Sequence, residues 1–87
     1  MKIYYGVEDN YKDITKKVVF CNRDKENKSY IIPSNDVKRS ELFGDHIYGV
    51  MKHILIITYN KDKDVYQIKR YNDDVDIFIS RKEYMEL

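Results

Sequence analysis

Residues 41–59 read ELFGDHIYGVMKHILIITY. This stretch begins with a turn that contains Gly44 and Gly49, and it ends in the most apolar segment of the chain. Glycine adopts backbone angles that other residues avoid, and β-branched residues favour strands. The sequence therefore predicts a turn that leads into a strand at about residues 50–59, and we expect this strand to organise the sheet.

Within that strand, residues 54–57 (ILII) are apolar at every position, so both faces of the strand carry apolar side chains. Such a strand is usually central in its sheet, or one of its faces contacts another protein chain. The sequence leaves both interpretations open. In the second, the predicted binding surface consists of Ile54, Ile56, Tyr48, Tyr59 and Tyr66.

Other short apolar segments, separated by charged turns, predict further strands. These lie at 2–5, 13–21, 29–32, 65–71 and 75–80. A charged loop is expected at 22–28, a short helical turn near 36–42 and a helix-compatible tail after residue 80. The pattern predicts one all-β domain over 1–87: a small antiparallel β-sandwich or barrel with about six to seven short strands.

The charge balance bears on the class of partner. The 87 residues include 16 Lys and Arg and 15 Asp and Glu, which gives a net charge of +1. Nucleic-acid binders usually carry a basic excess, because phosphate contacts supply much of the affinity. The charge balance therefore disfavours nucleic acid as a partner. No apolar run is long enough to predict a membrane-spanning helix.

Metal and thiol chemistry have weak support in the sequence. Cys21 is the single cysteine, so it cannot form an internal disulfide, and its apolar neighbours predict a buried structural role. His46 and His53 are seven residues apart, a spacing that does not place two metal ligands side by side on a helix or strand. With Asp45 beside them, they predict no metal site. We expect no catalytic residue and no cofactor.

The nine tyrosines permit three interpretations. They could fill a small core and its rim, with the hydroxyl groups reaching water. They could instead form a sugar-stacking or protein-contact surface. A third interpretation combines them with Lys and Arg on a face that stacks single-stranded bases. Neighbouring strand residues point to opposite faces, so basic pairs such as Lys69 and Arg70 divide their charge, which disfavours the third.

A series of short motifs resembles a small β domain in proteins of large DNA viruses that infect protists. The motifs are Tyr5-Gly6, Asp13-Ile14-Thr15, 31–36 (IIPSND), 42–45 (LFGD) and 49–56 (GVMKHILI). They cover about residues 3–58. That domain usually has valine where this chain has Ile14 and proline where it has His46. The resemblance implies a viral origin and a β fold, and it carries over no catalytic residue.

The motif residues themselves have a physical interpretation as structural positions. Asp13 and Thr15 are typical turn-bonding residues, and Gly44, Asp45 and Gly49 are typical of a tight connection. We therefore predict a non-enzymatic viral interaction or virion-associated protein, in the host cytoplasm or the virion, that acts through a sheet face or edge. Its partner would be another protein or a second copy. The alternatives are a carbohydrate-binding module and single-stranded nucleic-acid binding.

Overall fold

The computed structural model describes residues 1–23 and 29–85. These residues form six strands and three short helices. In chain order they are β1 (Lys2–Val7), β2 (Asn10–Asp13), α1 (Thr15–Asn22), β3 (Ser29–Ile32), α2 (Asp36–Phe43), β4 (His53–Asn60), β5 (Val65–Tyr71), β6 (Ile77–Ser80) and α3 (Arg81–Met85).

The described strands form two antiparallel sheets. The larger has four strands in the order β2-β1-β4-β5, and the smaller pairs β3 with β6. The predicted β character is confirmed. Neither sheet closes into a barrel, and the helices lie beside the small sheet. β4 is an inner strand of the large sheet, between β1 and β5.

One buried core fills the space on one side of the large sheet. Alternation along β1 and β4 sends Ile3, Tyr5, Ile54 and Ile56 to this side. The small sheet and the helices contribute the remaining large apolar members: Ile14, Val18, Tyr30, Ile32, Phe43, Ile77 and Ile79. We call this side of the large sheet the inner face.

The prediction of a strand at 13–21 is wrong, because Thr15–Asn22 forms the helix α1. The Asp13 carboxylate accepts hydrogen bonds from the Thr15 amide (2.9 Å) and hydroxyl (2.6 Å), which starts the helix. Ile14, Val18 and Asn22 are buried at a spacing of four residues, which is the period of a helix. Tertiary packing thus overrides the β propensity of Val18 and Val19.

Other boundaries shift less. The strands predicted at 29–32 and 65–71 match β3 and β5. The charged segment between the first two predicted strands contains most of β2, and β4 begins at His53 rather than near residue 50. Of the strand predicted at 75–80, only the part Ile77–Ser80 forms a strand, which is β6. The loop expected at 22–28 falls mostly on 24–28, outside the described residues.

The helical turn predicted near 36–42 is α2. The Asn35 side chain accepts a hydrogen bond from the Val37 amide at 2.8 Å, which is N-cap geometry. At the other end, the ammonium groups of Lys12 and Lys17 donate to the Phe43 carbonyl at 3.2 and 3.3 Å. Cations are favourable at a helix C-terminus, so both ends of this short helix are stabilised.

Candidate interaction surface

The large sheet has a second face, opposite the core. We call it the outer face. The strand register assigns its side chains as Tyr11 and Asp13 from β2, Lys2 and Tyr4 from β1, His53, Leu55, Ile57 and Tyr59 from β4, and Tyr66, Ile68 and Arg70 from β5.

The apolar side chains of the outer face are accessible. Tyr66 is 72% exposed and Ile68 is 64% exposed, whereas Leu55 and Ile57 are half-buried between neighbouring strands. Within residues 1–23 and 29–85, none of the buried core side chains lies on this face. Single exposed apolar residues are ordinary on protein surfaces, but a contiguous patch such as this one is a mark of a contact surface.

Cross-strand neighbours arrange the outer face in rows. One row runs Asp13, Tyr4, Leu55, Arg70 across all four strands, so its two edges carry opposite charges. A second row contains Lys2, Ile57 and Ile68. Apolar side chains thus lie beside charged ones on this face: Leu55 and Ile57 occupy the inner strand β4, and Asp13 and Arg70 lie on the two edge strands.

A third row holds Tyr59 and Tyr66 near the β4–β5 turn. Their ring centroids are 5.1 Å apart, with the planes tilted by 47°. The Tyr59 hydroxyl donates to the Asp64 carboxylate, and this bond raises the pKa of Tyr59 above its ordinary value. The pair extends the outer face with two aromatic rings.

Two predicted interface residues are in the wrong place for that role. Ile54 and Ile56 are buried in the core, because alternation turns them to the inner face. Leu55 and Ile57, their neighbours in sequence, have the accessible positions. The doubly apolar run therefore serves both interpretations of the sequence: β4 is an inner strand, and its outer face is open.

Tyr48 lies outside the strands that form the outer face. It is 94% exposed in the connection between α2 and β4, which enters β4 at His53. Tyr59 lies six residues further along the strand, at a distance of about 20 Å from His53. The predicted set of tyrosines is thus divided: Tyr59 and Tyr66 are together, and Tyr48 is elsewhere.

A buried polar network lies on the inner face. The Lys52 ammonium is 2.8 Å from an Asp45 carboxylate oxygen and 3.4 Å from one of Asp36, and the Lys52 side chain is 1% exposed. The Tyr5 hydroxyl donates to Asp36 and lies 2.8 Å from the Ser40 hydroxyl oxygen. The network joins β1, α2 and the start of β4.

The electrostatics of this network favour its charged form. Burial disfavours the Lys52 ammonium, but Asp45 and Asp36 outweigh that effect and raise the pKa of Lys52. Lys52 in turn lowers the pKa of Asp45. Burial and the bond to Asp36 place the pKa of Tyr5 far above its ordinary value. Tyr5 therefore stays neutral and Lys52 stays charged.

Lys52 also organises the glycine turn. Besides Asp45, it donates to the carbonyls of Ile47 (3.3 Å) and Val50 (2.9 Å). Gly44 and Gly49 have φ angles of 89° and 76°, which glycine adopts without a steric penalty. These contacts hold the turn in place immediately before β4 begins, which indicates a structural role for the turn.

Sequence reasoning missed two buried polar anchors. Arg39 is fully buried and donates to the carbonyls of Pro33, Asn72 and Val75 at 2.7 to 2.8 Å. Asn22 bonds the backbone of Ile31 in both directions, at 3.0 and 3.2 Å. Helical periodicity could have indicated the burial of Arg39, because it lies four residues before Phe43 and therefore on the same face of α2.

The remaining candidates for chemistry lie apart. His46 packs edge-on against the Tyr5 ring and contacts the Asn10 carbonyl at 3.2 Å. Cys21 lies half-buried on α1, against the core. Within the described ranges, no three His, Cys, Asp or Glu side chains are placed to hold a metal ion. No helix among the described residues is long and apolar enough to cross a membrane.

An open groove of about 600 Å³ lies beside the inner face of the β4–β5 hairpin. Its apolar lining includes Ile56, Tyr71, Ile77 and Phe78, and its polar lining includes Lys69. The groove has charges of both signs, because Asp62 and Glu83 also line it. This mixture defines no ligand class.

Comparison of the chain with protein-family models, with curated proteins and with solved structures gave no match. The functional argument therefore depends on the geometry of the molecule.

Proposed function

We propose that this chain is a non-enzymatic interaction protein whose outer face binds the surface of another protein. The observation that carries the proposal is the apolar patch of that face, in which Ile68 is exposed and Leu55 and Ile57 are half-buried. In a chain of 87 residues the core is small, so leaving Ile68 exposed and its two neighbours partly accessible gives up stabilisation that full burial would supply.

The positions of the charges support a protein partner over a nucleic acid. Lys52 and Arg39 are buried and bonded within the fold, so they are not available to phosphates. On the outer face, Arg70 and Lys2 are accompanied by Asp13. Single-stranded nucleic acid needs aromatic stacking platforms in a basic groove. This face carries tyrosines, but its Lys2 and Arg70 are separated by apolar side chains.

The resemblance to the β domain of large DNA viruses supports a viral setting for this activity, in the host cytoplasm or the virion. Tyr5, Asp13, Thr15, Phe43, Asp45 and Lys52, which carry the resemblance, are structural in this fold. The resemblance therefore supports the fold and the setting, whereas the outer face supports the interaction.

A site-specific crosslinking experiment tests the proposal. A photoreactive residue replaces Ile68 on the outer face or, as the matched control, Lys69, the next residue on β5, which is also exposed and points to the inner face. In cells that make the full chain, we expect a discrete protein adduct from position 68 and none from position 69. Absence of an adduct at 68, or an adduct that nuclease removes, would refute the proposal.

Carbohydrate binding is a second candidate, and the exposed Tyr59–Tyr66 pair favours it. Aromatic rings stack on sugar rings, and the Asp64 carboxylate beside Tyr59 can accept hydrogen bonds from sugar hydroxyls. A glycan array tests this candidate with Tyr66→Ala and with Tyr48→Ala as the control. Binding that only Tyr66→Ala removes would support it, and an array without a hit would refute it.

A further inference from the structure

We infer that the partner of the outer face is a second copy of this chain, related by a two-fold axis that runs parallel to the strands between β1 and β4. This inference rests on the proposed function and names its partner. The observation that carries it is the row Asp13, Tyr4, Leu55, Arg70, whose two ends have opposite charges.

The symmetry follows from the strand order. An axis parallel to the strands exchanges β1 with β4 of the second copy, and β2 with β5 of the second copy. Tyr4 then meets Leu55 of the second copy, and Asp13 meets Arg70 of the second copy. Each contact occurs twice. An axis perpendicular to the strands would instead place Asp13 near Asp13 and Arg70 near Arg70, so like charges disfavour it.

The dimensions fit face-to-face packing. Facing sheets lie about 10 Å apart, and an arginine and an aspartate at the rim can meet across that distance. With this axis, Tyr4 and Leu55 of the two copies meet in the middle of the interface. Ile57 lies opposite Lys2 of the second copy, whose aliphatic stem can cover it, and Ile68 lies at the rim opposite the end of β2. Three strand spacings give a face about 14 Å wide, and β4 gives a length of about 20 Å. This size corresponds to a weak, reversible dimer rather than an obligate one.

Pairing through the free edge of β5 is a less favourable arrangement of two copies. β5 carries Lys69 and Arg70 but no acidic residue, so two such edges bring basic side chains together without a carboxylate. Lysine and arginine on an edge strand are a known device against edge pairing. The outer face offers complementary charges, and the edge does not.

The first measurement is sedimentation of the purified full chain over a concentration series up to about 1 mM, where weak dimers are populated. We expect reversible dimerisation for the wild-type chain and loss of the dimer in Ile57→Lys, because this lysine would lie opposite Lys2 of the second copy. The matched control is Lys69→Met on the opposite face, which should dimerise as the wild type does. A wild-type monomer at every concentration, or a dimer that Ile57→Lys leaves intact in a folded chain, would overturn the inference.

The second measurement is a double-mutant cycle that tests the axis. Asp13→Asn retains a side-chain oxygen for the Thr15 hydrogen bonds, so it removes the charge while keeping the start of α1. Arg70→Gln removes the other charge. Because the pair occurs twice, we expect each single variant to raise the dissociation constant about 2- to 30-fold, with the double variant no weaker than the singles.

The cycle distinguishes this inference from the proposed function. Additive effects of the two substitutions would overturn the axis, even if the dimer forms. A chain that stays monomeric but gives an adduct with a different protein at position 68 would overturn self-association and leave the proposed function intact. Absence of both the dimer and the adduct would refute both.

Discussion

The two faces of β4 have nearly the same residue types and opposite surroundings. Ile54 and Ile56 are buried against the helices and the small sheet, whereas Leu55 and Ile57 lie in an open face between Tyr4 and Ile68. Hydrophobicity alone does not decide which face is covered. Lys52, which has the parity of Ile54, is bonded inside the fold on the covered side. Its ion pairs and the apolar core therefore lie on the same face of the sheet.

The largest difference between the two faces is expected from the same substitution at adjacent positions. Ile56→Ala leaves a cavity in the core and should lower the free energy of unfolding by about 2–5 kcal/mol. Ile57→Ala removes side-chain atoms that are only half-buried and should lower it by about 1–2 kcal/mol in a dilute sample, less than at position 56. Urea denaturation of the two variants checks this. Equal losses would contradict the assignment of an outer face.

Removal of the buried cation is expected to have the next largest effect. Lys52→Met leaves the carboxylates of Asp36 and Asp45 without their ammonium partner. Since both carboxylates retain some contact with water, we expect a loss of about 2–4 kcal/mol, below the range for a fully buried pair. The control is Lys69→Met, an exposed lysine for which we expect a change within about 0.5 kcal/mol.

A pH titration of stability should sharpen the comparison further. Hydrogen bonds from the Thr15 hydroxyl and amide lower the pKa of Asp13, and the bond from Lys52 lowers that of Asp45. These contributions are present above the unfolded pKa of about 4 and are lost as the pH falls through the lower folded values. We expect a constant melting temperature between about pH 5 and 9 and a decrease below about pH 4.

The expected loss of stability at high pH comes from groups whose pKa values are raised, not lowered, by folding. The pKa values of Lys52 and Tyr5 are raised in the folded state, so their contribution is complete below the unfolded values near 10 and is lost as the pH rises through the folded ones. Lys52→Met should remove part of the decrease in melting temperature at high pH. It should leave the part of the decrease at low pH that Asp13 causes. A melting temperature that Lys52→Met changes equally at all pH values would contradict the role given to the ion pair.

The smallest effect is expected from salt. If Asp13 and Arg70 meet across the dimer, added salt should weaken the association, since these rim charges are exposed and screened. We expect a change of about 1 kcal/mol or less in the free energy of association between low and high salt. Sedimentation at two salt concentrations measures this change in the free energy of association. An association that becomes stronger in high salt would contradict the prediction, because it would depend on apolar contacts and not on the Asp13–Arg70 pair.

The sequence predicts the parts of the fold that local rules govern. Pro33 ends β3, Asn35 begins α2, and the polar segment after Asn60 joins two strands. α1 was misassigned because its β-branched residues favour a strand by local propensity, and only packing against β3 and the core selects the helix. The strand pairing itself depends on contacts between distant residues, which single-residue preferences do not encode.

The strand that carries the candidate surface was predictable, but the aliphatic residues that it turns outward were not. A doubly apolar strand with nearby tyrosines indicated a contact surface, and Tyr59 and Tyr66 are on the outer face. The choice between Ile54 and Leu55 needed the parity of Lys52, and that parity is visible in the sequence once Lys52 is known to be buried. The row from Asp13 to Arg70 was not predictable, since it joins four strands whose register only the fold determines.

One NMR measurement tests the central claim, that the outer face is open in the single chain and is covered by a second copy. A soluble paramagnetic agent broadens methyl signals that contact water, so the Leu55, Ile57 and Ile68 methyls can be compared with those of Ile54 and Ile56. In a dilute sample we expect strong broadening of the first group and none of the second. In a concentrated sample the first group should become protected. Protection of Leu55 and Ile57 in the dilute sample, or exposure at every concentration, would contradict the account.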